Sequence, residues 1–196
     1  MNNNKLKQIW NKILPYTFLS NFGMGMLKLI GAGLTMSFGL FVSSFYNFFI
    51  SITKKRIFIK KEIPEYKKYY QIGLLIIIAG ILYINYSILV IKLHLAVSYH
   101  MYAAILIATI TFTDIVLSII GIVRAKKKKD IQSEMLKYIN LSTALISLSL
   151  TQSAILSFKN QNADNSFVNG TFGIIVAILT ILIGIYMMLN AKRKII

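Results

Sequence analysis

Read as a succession of apolar and polar positions, the chain alternates long hydrophobic runs with short basic ones. The apolar runs extend from about 30 to 50, 70 to 90, 98 to 123, 138 to 158 and 171 to 189. Each is close to or beyond the ~20 residues that a helix needs to cross a ~30 Å hydrocarbon core. The pattern predicts an all-α, polytopic integral membrane helix bundle. It has a four-helix core over 70–196 and an N-terminal membrane-embedded segment, hence four or five spans.

The N-terminal part divides further. In residues 1–28, Leu6, Ile9, Trp10, Ile13 and Leu14 share one helical face while Lys5, Lys7 and Lys12 lie elsewhere, the pattern of an amphipathic helix lying in the membrane interface. Residues 29–52 are long enough to span. Yet Ser37, Ser44, Asn47 and Ser51 recur on one face, and Gly31-Ala32-Gly33 permits a tight turn. A first transmembrane helix and a re-entrant element both fit. Residues 53–69 read as a basic cytoplasmic loop.

Charge sets the expected orientation. The segments 54–68, 124–137 and 192–194 hold seven, six and three Lys or Arg, whereas the loops between them hold only Lys92 and Lys159. The positive-inside rule then places the C-terminus in the cytoplasm of a cell bounded by this membrane. Composition agrees: 56% of the chain is hydrophobic, and its formal net charge is +16. These basic residues flank apolar spans rather than alternating with exposed aromatics, so the expected partner is a bilayer with an anionic inner leaflet, not nucleic acid. The absence of cysteine excludes disulfides, thiol catalysis and cysteine-ligated metals. Abundant Lys, Ile and Asn suit an AT-rich bacterial genome.

One residue breaks the apolar pattern. Asp114 lies about nine residues from the end of its run, roughly 14 Å at the helical rise and close to the middle of the span. Facing lipid there costs at least ~2.5 kcal/mol, so it is expected to face protein or a water-filled cavity, or to be protonated. Steps of three and four residues link His100, Ala104, Ile107, Thr111, Asp114, Ser118 and Gly121 into a mostly small or polar stripe suited to a bundle interior. Matching depths brings Ser147, Thr151, Gln152 and Thr180 towards the same level, predicting a polar layer with Asp114, Thr111 and Ser118.

Two functions follow from that layer. In the first, the chain is a non-enzymatic structural or accessory component that binds lipid, a partner subunit or a second copy, and Asp114 serves packing. In the second, it is a small transporter or channel with Asp114 as an intramembrane proton or cation site. Lys126, Lys127, Lys128 and Lys129 are expected at lipid headgroups. His94, His100 and Asp164 offer a weak external metal or pH-sensing set without known ligand spacing. No protease, hydrolase or phosphate-loop motif occurs, and no cofactor is expected.

Overall fold

The computed structural model of the chain describes residues 18–19, 21–33, 38–59, 63–95, 101–159 and 164–191. The described residues contain α1 (21–33), α2 (Phe38–Ile59), α3 (Glu65–Lys92), α4 (Met101–Lys127), α5 (Ile131–Lys159) and α6 (Ser166–Ala191). The expected all-helical bundle is present. Four helices, from α3 to α6, are long and apolar enough to cross a membrane. Each continues past its apolar run: α3 starts at Glu65 and α5 at Ile131, because backbone hydrogen bonding keeps a helix intact beyond the hydrocarbon edge.

The chain forms two compact units, Met1–Ile63 and Pro64–Ile196. In the first, α1 and α2 run antiparallel. Lys28 Nζ donates to Ser43 Oγ over 2.9 Å, Ser51 Oγ donates to the Phe18 carbonyl, and Phe22 packs on Phe48. Ser43, Ser44, Asn47 and Ser51 are buried while Phe41, Phe45 and Ile52 point outward. This polar-inside arrangement suits an apolar solvent. The boundary expected at residue 28 falls inside α1, and the expected interfacial helix over 5–14 lies outside the described residues. The expected loop 53–69 is also corrected. Helix occupies 53–59 and 65–69, because apolar residues of α2 continue beyond Lys54-Lys55-Arg56 and Pro64 opens α3.

In the second unit the strongest pairing joins α3 to α6, antiparallel and at very close approach. Glycines make it possible. A Cβ added at Gly73 would lie 2.7 Å from the Gly184 carbonyl oxygen, and one at Gly184 would lie 2.6 Å from that of Gly73. At Gly80 an added Cβ would meet Ile181 at 2.6 Å. In a membrane, where burial against lipid brings little, such contact of backbones is a main source of helix association.

The second pair, α4 with α5, is a tight hairpin coded locally. The Asp130 amide reaches the Ala125 carbonyl over 3.0 Å and the Lys129 amide the Lys126 carbonyl over 3.1 Å, with Lys129 at φ 53. This is a Schellman ending with Lys where glycine is common. Asp130 then caps α5: its carboxylate accepts from the Ser133 N–H at 3.0 Å and the Ser133 hydroxyl at 2.7 Å. The two pairs meet chiefly through α5 against α6 and α3.

Candidate functional site

The mid-membrane hydroxyls come together as expected in part. Thr151 Oγ1 lies 3.1 Å from both Thr111 Oγ1 and the Ser147 carbonyl, tying α4 to α5. Thr111, Ser118 and Thr151 are buried, Ser147 is half-buried, and the Oε1 of half-buried Gln152 is enclosed without a partner. Thr180 is fully buried too, but its hydroxyl donates to its own helix at the Val176 carbonyl over 3.0 Å. No bond among the described residues links it to Thr111 or Thr151.

Asp114 overturns the expectation that it points into the bundle. It is exposed, among Phe112, Thr113, Val116 and Leu117, all exposed as well. The reason lies in which edge of the stripe is covered. α4 packs chiefly on α5 through Ala104, Thr111, Ser118, Ile122 and Ala125, with Ile115 half-buried. From Thr111 a step of four residues to Ile115 turns about 40° one way, and a step of three to Asp114 turns about 60° the other way. The seam takes the Ile115 side, leaving Asp114 on an uncovered face of the helix least enclosed by its neighbours.

A second polar constellation, absent from the sequence reading, joins all four helices at the Lys-rich end. Tyr69 of α3 donates to Glu134 Oε1 of α5 over 2.8 Å, with Tyr69 fully buried and Glu134 only 1% exposed. Lys126 of α4 donates to the Tyr186 hydroxyl of α6 over 2.8 Å, its ammonium 4.9 Å from the Tyr186 ring centre and 5.8 Å from that of Tyr138. Tyr138 also packs edge-on against Tyr69. Nearby, Gln132 Nε2 donates to Glu65 Oε1 over 3.2 Å. The signal available in sequence was Glu134 four residues before Tyr138, on one face of α5. Of the expected headgroup lysines, Lys126 is therefore engaged by tyrosines, while Lys127, Lys128 and Lys129 are exposed.

At the opposite end His94 Nδ1 pairs with Asp164 Oδ2, so two members of the expected histidine and aspartate set do meet. His100 lies outside the described residues, and among the described residues no three His, Asp or Glu side chains gather as a metal site. Asp164 instead opens α6, its Oδ1 accepting from the Ser166 N–H at 2.9 Å. The Ser166 side chain and N–H, then His94, hold its carboxyl well below its ordinary value, at about 2. His94 itself adopts φ 50 at the end of α3, where the Leu95 amide reaches back to the Val90 carbonyl over 3.2 Å.

No protein-family model matches the chain, and no curated protein is significantly similar to it.

Proposed function

We propose that the chain is a non-enzymatic accessory protein of a bacterial cell membrane that docks a partner subunit on the outer face of α4. One observation carries this reading: a carboxyl near mid-span is exposed on the side of α4 turned away from α5, the helix of its own unit on which it chiefly packs. Left against lipid it costs at least about 2.5 kcal/mol, and such residues in membranes face protein or water. A transport pathway through the bundle interior is less well supported, because Asp114 does not face that interior.

The chemistry of the face specifies the partner. A second copy inserted in the same orientation would bring to this level Thr109, Thr113 and another Asp114, and α4 carries no Lys, Arg or His from 101 to 123. A carboxylate is better met by a partner helix carrying Lys or Arg near mid-membrane, with apolar side chains for Phe112, Val116 and Leu117. The cationic segments stay on the cytoplasmic side, with the C-terminus there and the exposed lysines at anionic headgroups.

Reconstitution with synthetic transmembrane helices tests the partner. A Leu/Ala helix with one central Lys should associate with the chain in vesicles by energy transfer, and the same helix with Leu at that position should not. Asp114→Leu should abolish the difference without loss of folding. Equal association of both helices, or cross-linking of the chain to itself through α4, would sink the reading. Because the chain lacks cysteine, single cysteines placed at Lys128 and Asp164 report orientation by their labelling from either side.

A further inference from the structure

Between α3, α5 and α6, towards the His94 end, the bundle leaves a cavity of about 10 Å³ lined by Ser87, Ser149, Ser153, Asn169 and Gly170 among others. It exists because α6 presents glycines there. A side chain at Gly170 would run into Ile91, and one at Gly173 would run into the Ser87 hydroxyl, with the Ser149 hydroxyl 3.4 Å away. Two serine hydroxyls therefore converge on the bare backbone of α6.

Two of the hydroxyls that line this cavity act towards it only as acceptors. Ser87 Oγ donates to the Tyr83 carbonyl at 2.9 Å and Ser153 Oγ to the Ser149 carbonyl at 3.0 Å, so both hydroxyl protons are spent within their own helices and only lone pairs remain. Asn169 is 6% exposed, and its Oδ1 is enclosed with no donor. An amide oxygen left so keeps the cost of its lost hydration uncompensated, which is why such groups are nearly always satisfied. The acceptor left without a donor is Asn169 Oδ1.

We propose that the cavity binds one water molecule, which donates to Asn169 Oδ1 and to a serine oxygen and so bridges α6 to α3 or α5. The room is about that of one water, and buried waters of this kind typically make about three hydrogen bonds to otherwise unsatisfied groups. A sodium-sized cation would also seek acceptors. No carboxylate lines the cavity, however, and an uncompensated charge inside an apolar bundle costs far more than a neutral donor does. The water adds a polar link between the α3–α6 pair and α5 at this end. At the opposite end the direct bonds from Tyr69 to Glu134 and from Gln132 to Glu65 join α3 to α5.

The test is a structure of the full chain in lipid nanodiscs at a resolution that shows ordered water, together with thermal unfolding in sodium chloride and in equimolar choline chloride. The expected result is one ordered guest within hydrogen-bond distance of Asn169 Oδ1, lost in Asn169→Leu, and an unfolding temperature the same in both salts. If Asn169→Leu does not fold, Ser153→Ala removes one acceptor with little change of shape and should displace or weaken the guest. An empty cavity with the Asn169 amide turned over to donate to a serine would overturn the proposal. So would an unfolding temperature raised by sodium alone and insensitive to sodium after either substitution.

Discussion

The seam between α3 and α6 and the outer face of α4 lie in the same unit and meet the same apolar solvent, but they are built on opposite principles. The seam is closed by what is missing: no side chain at Gly73 or Gly184, so carbonyl oxygens sit where Cβ atoms would be. The α4 face is open and carries Phe112, Val116 and Leu117 around a carboxyl. In water, burial would label the two faces by hydrophobicity alone. In a bilayer an apolar face has little reason to be covered, so close fit and polar groups decide what is inside. The difference teaches that the stable interface is the one of small residues, and that the unfinished one is marked by its acid.

The sharpest way to break the comparison is to place bulk on each side. Gly73→Leu must push α6 away over a backbone contact, and it should cost at least about 3 kcal/mol or prevent folding, read by thermal unfolding in nanodiscs. Val116→Leu, on the open face, should leave the same curve unmoved. A smaller loss is expected at the Lys-rich end. Tyr69→Phe deletes one donor to buried Glu134 and should cost about 1 kcal/mol, while Glu134→Gln, which keeps an acceptor for Tyr69, should retain most of the stability.

Smaller again is the hydroxyl contact of the α4–α5 pair. A double-mutant cycle of Thr111→Val and Thr151→Val should report a coupling near 0.6 kcal/mol, the scale of hydrogen bonds between membrane helices. A coupling of zero would mean that the bonds of Thr151 to its own helix carry the whole effect. The least effect belongs to Asp164. Its folded pKa of about 2 lies below the ordinary 3.8, so its contribution is fully present above about pH 3.8 and is lost as pH falls through about 2. Unfolding midpoints followed from neutral pH into that window should fall for the wild type by slightly more than for Asp164→Ala.

How much of this was legible in advance varies by residue. Thr111 and Thr151 were matched by counting inward from the basic ends, and they do meet. Asp114 was misplaced, since a step of three and a step of four from Thr111 are equally regular and only the position of α5 selects between them. Glu134 stands in the basic segment 124–137, outside the apolar runs, and nothing in that pattern marks it, whereas α5 begins at Ile131 and carries it against Tyr69. The glycines were visible, but their partners were not. Spacing along α6 marks a small-residue stripe without saying which helix will lie in it.

What the sequence by itself determined is therefore one-dimensional. Apolar length made the four long helices, Asp130 and the residues before it made the α4–α5 turn, and basic clusters marked one end of the bundle. These are decided within a few residues, by hydrogen bonds a helix makes with itself and by transfer of side chains to lipid. Only the tertiary structure decided that α3 pairs with α6, that Glu134 is buried and that Asp114 is not. A helix in lipid is apolar on nearly every side, so the direction of each face is set by the shape of its neighbours.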